Sequence, residues 1–271
     1  MEKNISLAYS GSLATEQRQR IVKASFREFW LYILSWIPSE EDLSAVKGAE
    51  LHGIENLHKA LENGMGVILW ESNGFGKRIL AKRILHELGF SVHQLHGAND
   101  LGGFLMDGNP ATRVKLSLIR PFFEKCEMRF VAGIIYLSGS NSLAFSRILL
   151  NLLKENRILC ISGDGKVGHK FIPLRFLGQT EFFPTGMATM SKLSGASILP
   201  VFCIKKESGK TTLSIEPPIN ADADRKVSSE NCVSTYAGLL EKYIKRYPEQ
   251  YRNWHLVGKV PNNLSHEEVT G

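Results

Sequence analysis

The sequence predicts an α/β fold: a mostly parallel sheet flanked by helices, with an amphipathic helix before it. Short apolar runs recur along the chain, GVILW at 66–70, FSVHQLH at 90–96, MRFVAGI at 128–134 and RILCIS at 157–162. Between them lie segments whose apolar residues are spaced by three and four, the period of a helix packed by one face. A parallel strand pair needs a crossover long enough to hold a helix, so this alternation covers both faces of a sheet.

The chain of 271 residues, 43% of them hydrophobic, can fill one sizeable core. Residues 1–39 read as an arm and amphipathic helix, 40–260 as the α/β domain and 261–271 as a loose tail. Lys and Arg number 33 against 27 Asp and Glu, a net charge of +6. That mild excess favours acidic partners such as phospholipid head groups or an acidic carrier protein. Nucleic acid is set aside, because no recognition motif and no interleaving of basic and aromatic residues supports it. Cys126, Cys160, Cys203 and Cys232 show no paired metal spacing, and Cys160 and Cys203 sit inside apolar runs. They read as reduced core thiols of a cytosolic protein.

The opening MEKNISLAYSGSLATEQRQ has no apolar core of the kind a secretory signal needs, and its first dozen residues are expected to be loose. No run reaches the roughly 18–20 apolar residues that span a bilayer. From Thr15 to Pro38, Ile21, Val22, Phe26, Phe29, Trp30, Ile33 and Leu34 form one stripe beside Arg18, Arg20, Lys23 and Arg27. Such a helix packs on the core, or lies in a membrane interface through Trp30, Trp36 and its basic rim. The expected location is cytoplasmic, peripheral to the membrane's inner face.

After an acidic stretch, a short helix around 54–62 ends at Asn63-Gly64. The run GVILW leads through ESNGFGK into RILAKRILHELG, with Ile79, Leu80, Ile84, Leu85 and Leu88 on one face and Gly89 as its stop. Helices are predicted at about 110–124 and 141–156. The segment IPLRFLG reads as a strand and bend, TGMATMSKLSG as a helix, and SILPVFCIKK with TTLSIEPPI as two strands. Ligands of open α/β sheets sit beyond the carboxyl ends of the strands, so the turns after Trp70, Leu95 and Ile161 are the ones to inspect. They hold Glu71, Ser72, Asn73, Lys77, Arg78, His96, Asn99, Asp100 and Asp164.

The turn ESNGFGK is not a phosphate loop. That motif needs a Gly at position 71 and a hydroxyl at position 78, and the chain has Glu71 and Arg78 there.

Several phrases resemble the lysophospholipid acyltransferase superfamily, and most closely its branch of bacterial lipid A lauroyl and myristoyl acyltransferases. They are GIENLHKALENGMGVILW, FIPLRFLG with PTGMATMSKLSGASILPVF, the strand end IEPPI, and YPEQYRNWH at 247–255. The resemblance implies a doubly wound α/β domain, an apolar groove for an acyl chain, and acyl transfer from an acyl carrier protein or coenzyme A thioester. No cofactor or metal is implied, the thioester being a substrate. It also implies a His, then four residues, then Glu or Asp, just after the strand GVILW: the His takes the acceptor's proton and the carboxylate orients the ring. In that register Asn73 stands where the His belongs and Arg78 where the carboxylate belongs. Asn has no basic nitrogen and Arg stays protonated, so neither can do that work.

Three readings follow: an acyltransferase with a displaced base, an acyltransferase whose acceptor needs little base, and a fold that binds acyl chains or a carrier protein without chemistry. Glu71 is a candidate base if Trp70 and Phe75 raise its pKa, or else a salt-bridged carboxylate. His96 ends the next strand, where the resemblance suggests a basic residue facing the site. Asp164 occupies a turn that is acidic in the family, or simply caps that turn. Asn73 can donate to an oxyanion or to the acceptor. Ser72 sits in the same turn. Lys77 and Arg78 open a helix, where cations oppose the macrodipole; that suggests an anionic partner, with Glu71 as the plain alternative for Arg78.

Overall fold

The computed structural model describes residues 1–37, 39–97, 100–101, 104–105, 120–137, 142–165, 168, 170–219 and 228–260. Its strands are β1 (Glu50–His52), β2 (Val67–Glu71), β3 (Val92–Gly97), β4 (Asp100–Leu101), β5 (Phe104–Leu105), β6 (Gly133–Leu137), β7 (Ile158–Ser162), β8 (Phe171–Phe176), β9 (Gln179–Pro184), β10 (Ser197–Lys205) and β11 (Thr211–Ile215). The helices are α1 (Glu2–Ala8), α2 (Thr15–Leu34), α3 (Glu40–Lys47), α4 (Ile54–Glu62), α5 (Arg78–Glu87), α6 (120–127), α7 (Ser142–Lys154), α8 (Gly186–Ser194) and α9 (Ser229–Arg246).

Seven strands form the main sheet in the order β1-β11-β10-β2-β7-β3-β6. Every neighbouring pair is parallel except β10 with β11. The expected α/β class, with helices on both faces and a helix in front, is what the chain adopts. β2 lies at the centre, which explains its uninterrupted apolar run: side chains alternate between faces, and both faces are covered. Ile68 and Trp70 join the core under α8 and α9, with Met187, Val233, Tyr236 and Leu240. Val67 and Leu69 join the core under α4 and α5, with Leu57, Leu80, Ile84 and Leu85.

The structure revises several local expectations. The first residues form a helix, with Ile5 fully buried, because the Asn4 amide donates to the carbonyls of Trp254 and Val257. The acidic stretch also forms a helix, α3. Of MRFVAGI only the end is strand: Met128 and Phe130 close α6 with backbone bonds to Glu124 and Glu127, and β6 starts at Gly133. The segment after FIPLRFLG returns as β9, through a two-residue turn in which Leu177 and Gly178 both have positive φ, the geometry that matches strand twist in a hairpin. Leu88, expected on the apolar face of α5, is exposed. The four cysteines are buried and unpaired with one another. Of the helix expected at 110–124, residues 110–119 lie outside the described residues, as do Asn99 and the tail 261–271.

Helix α2 departs most from expectation. Its buried residues are Ile21, Ser25, Glu28 and Tyr32, while Phe26, Trp30 and Leu34 are each more than half exposed. The cause is polar anchoring: Glu28 pairs with Lys77 at 2.6 Å, and the Tyr32 ring lies under the Arg252 guanidinium. Trp36 is not an interface residue, being buried against Tyr32 and Phe123. No helix among the described residues is long and apolar enough to cross a membrane.

The turn between β2 and α5 is pinned to the sheet. Gly76 has φ +70°, and a Cβ there would stand 2.5 Å from the Cys203 carbonyl oxygen, which accepts from Lys77 N at 2.7 Å. G76A is therefore expected to destabilise the fold by about 2 kcal/mol or more, since strain and overlap add. Urea unfolding should show a lower midpoint at unchanged slope; an unchanged midpoint would mean that this turn yields without cost.

Candidate functional site

The carboxyl ends of β2, β7 and β3 bring together most of the polar residues singled out from sequence. Two parallel registers set this level: Glu71 pairs with Ser162 on β7, and His96 sits on β3, which flanks β7 on its other edge. Because Glu71 is in register with Val67 and Leu69, its side chain enters the layer between the sheet and α5. Arg78 and Lys82 enter the same layer from α5, one helical turn apart.

There they form a chain of buried charges. Arg78 donates from Nε to Glu71 Oε1 at 2.8 Å, with its Nη2 2.6 Å from the same oxygen, and from Nη1 to Asn73 Oδ1 at 2.6 Å. The Lys82 ammonium lies 3.1 Å from Glu127 Oε1 and 3.7 Å from Glu71 Oε1, as charge contacts rather than aligned hydrogen bonds. Glu127, on α6, meets His96 Nε2 at 2.8 Å through its other oxygen. All six side chains are buried. Two carboxylates thus face two permanent cations, which is the condition for keeping charge inside a fold.

Of the two readings of Glu71, the structure shows the salt-bridged carboxylate. Burial alone raises its carboxyl, but the Arg78 guanidinium and the Lys82 ammonium outweigh that and hold it below the ordinary carboxylate range. Trp70 does not enclose it either, since Trp70 faces the opposite core against Tyr236. Burial likewise raises Glu127, and Lys82 with His96 brings it down to about 2.

A second set of bonds clamps the turn from outside. Asp164 accepts from Ser72 Oγ and from Asn73 N, each at 2.6 Å, so its carboxylate holds the turn in shape. The Glu71 carbonyl receives Tyr236 Oη and Gly163 N, both at 2.8 Å. Arg252 donates to the carbonyls of Gly76 and Asn73 at 2.6 and 3.1 Å. Gly74 has no room for a side chain beside Asn253. Lys77, expected to seek an anion, has Glu28 of α2 as its partner.

The structure therefore unites Glu71, Ser72, Asn73, Arg78 and Asp164 directly, and joins His96 to them through Glu127 and Lys82. Sequence reasoning missed Lys82, Glu127, Tyr236 and Arg252. The first carried a usable signal: Lys82 lies four residues after Arg78, so two cations share a helix face that must be buried. A groove of about 1640 Å³ runs along α2, with basic residues such as Arg20, Lys23 and Arg27 and apolar ones such as Leu31, Leu34 and Ile37 among its lining. Among the described residues no group of three or more His, Cys, Asp or Glu could hold a metal ion.

Two outcomes follow from the charge chain. R78M leaves Glu71 with only the Lys82 contact at 3.7 Å and should cost about 3–5 kcal/mol, whereas E71L/R78M removes both charges and should recover much of it; a double-variant loss equal to the sum of the R78M and E71L losses would show that the pair is not coupled. Glu127 has a folded pKa of about 2, below its unfolded value, so its stabilisation is complete above about pH 4.5 and drains away as pH falls toward 2. Unfolding midpoints between pH 6 and 2 should fall for the wild type and fall less for E127Q; parallel curves would contradict this.

A comparison with curated proteins gave no match. Residues 133–256 match the family model described as bacterial lipid A biosynthesis acyltransferase. That stretch contains Asp164, Tyr236 and Arg252, which clamp the turn, while the turn itself precedes it. Over residues 133–256 this chain is similar to the bacterial lipid A biosynthesis acyltransferases, and the resemblance read from its sequence holds there.

Proposed function

We propose that the protein takes a fatty acyl group from a thioester of acyl carrier protein or coenzyme A and transfers it to a hydroxyl or amine acceptor at the turn after β2. The observation behind this reading is the convergence of Asp164, Tyr236 and Arg252, all within the acyltransferase-like stretch, on Glu71–Gly76. Three separate elements fix five atoms of one short turn. Positioning of this kind is what acyl transfer asks of a protein once the nucleophile is in hand.

An amine acceptor suits this centre better than a hydroxyl. Losing a general base costs roughly two to four orders of magnitude in rate, and Glu71 cannot replace it while paired with Arg78. An amine supplies its own lone pair once deprotonated. Incubation with acyl thioesters and a panel of hydroxyl and amine acceptors, read by mass spectrometry, should show transfer above the buffer rate, faster to amines. Its pH dependence should follow the acceptor's own deprotonation. H96A and E127Q should keep the rate of folded enzyme within a few fold; a loss of about 10² or more at intact fold would instead make His96 with Glu127 the displaced base and its orienter.

The second reading, binding without chemistry, has its own support in the closed pairing of Glu71, Arg78, Lys82, Glu127 and His96. Under it acyl thioesters raise the unfolding temperature while no acceptor is acylated.

The exposed stripe of Phe26, Trp30 and Leu34, with Arg20, Lys23 and Arg27 beside it, further suits α2 to an anionic membrane surface. Sedimentation with vesicles containing phosphatidylglycerol should carry the protein down, and W30S/L34S should weaken that several fold. Equal sedimentation with neutral vesicles would remove the electrostatic part of this proposal.

A further inference from the structure

We propose that Asn73 turns the family's base position into a hydrogen-bond donor, and that the small cavity beside it receives the carbonyl oxygen of the acyl donor. The inference rests on the acyl-transfer reading above and specifies which part of the thioester the turn meets.

Arg78 Nη1 lies 2.6 Å from one terminal atom of the Asn73 side chain, and Ser162 Oγ lies 3.2 Å from the same atom. A guanidinium can only donate, so the atom facing it is the amide oxygen. The amide nitrogen, with its two N–H bonds, therefore points the other way. Asn73 is 6% exposed, and among the described residues nothing accepts from that nitrogen. The nitrogen is not sealed off from solvent, so its two donors are open to a water or a ligand.

A cavity of about 20 Å³ opens against Asn73, walled by Asp164, Tyr251, Asn253, Phe176 and Phe183. That is room for about one water-sized group, so it admits a single oxygen and not a whole head group. Charge narrows the choice further. The Asp164 carboxylate stands on the same wall, where it repels phosphate and carboxylate but tolerates a neutral carbonyl. The aromatic walls suit a thioester, whose carbonyl is flanked by sulfur and an alkyl chain.

Donation strengthens as that oxygen gains charge. The acceptor nitrogen attacks the carbonyl carbon, a C–N bond forms, and the π electrons move to the oxygen that Asn73 holds. Collapse breaks the C–S bond; the thiolate leaves and takes the proton that the nitrogen gives up, yielding an amide and a thiol. No proton passes to Asn73.

The test uses a ketone analogue of an acyl thioester, with CH₂ in place of sulfur and ¹³C at the carbonyl, followed by infrared spectroscopy and by titration. On the wild type, the bound carbonyl band should sit at lower frequency than in an apolar solvent. N73D keeps an oxygen toward Arg78 but puts its second oxygen where the donors were. Its band should return to the undonated position, with affinity weakened by about fivefold or more. N73A, checked for cooperative unfolding, gives the same expected loss should N73D fold poorly. Wild-type band and affinity in both variants, or an unshifted band on the wild type, would overturn the inference while leaving acyl binding intact. If no acyl analogue binds the wild type, the acyl-transfer reading falls and this inference falls with it.

Discussion

A guanidinium buried in a protein has five donors and no acceptor, and Arg78 places that constraint at the centre of this fold. Something must accept from it, and the groups that do so are Glu71 on the strand before it and Asn73 on the turn between them. Once Glu71 is committed to Arg78, its negative charge also draws in Lys82, and Lys82 in turn draws in Glu127 from α6. The buried layer between the sheet and α5 is thereby settled by one residue's chemistry. So is the rotamer of Asn73, whose amide can present only its nitrogen to the cavity.

The same constraint explains why Asn73 and Arg78 belong together. Five residues apart, they share a hydrogen bond that orients both side chains. Leaving Arg78 without Glu71 would bury a poorly paired charge, so the carboxylate before the turn is as necessary to this arrangement as Asn73. The outer clamps from Tyr236 and Arg252 hold the backbone of the turn, and Asp164 holds both its backbone at Asn73 and its Ser72 hydroxyl.

Much of the fold was legible because burial leaves a period in the sequence. GVILW is apolar throughout since β2 is covered on both faces, and the helices after it show one apolar stripe each. The pairing of Arg78 with Glu71 was also within reach as the plain alternative to an anionic ligand. Other features had no local signal. The burial of Glu28 and exposure of Trp30 on α2 follow from Lys77 and Arg252, which are 49 and 222 positions away from them in sequence order. Glu127 could not be matched with His96 because α6 and β3 meet only in the folded sheet. β9 was hidden by its hairpin partner, since an edge ribbon with one covered face carries fewer apolar residues than a central strand.

The central claim is a hydrogen-bond polarity, and neutron diffraction from deuterium-exchanged crystals reads it most directly. The structure predicts a deuteron on Arg78 Nη1 directed at Asn73 Oδ1, with both Asn73 Nδ2 deuterons on the cavity side. Scattering that places Asn73 Nδ2 toward β7, with Arg78 turned to another acceptor and the amide oxygen facing the cavity, would contradict it.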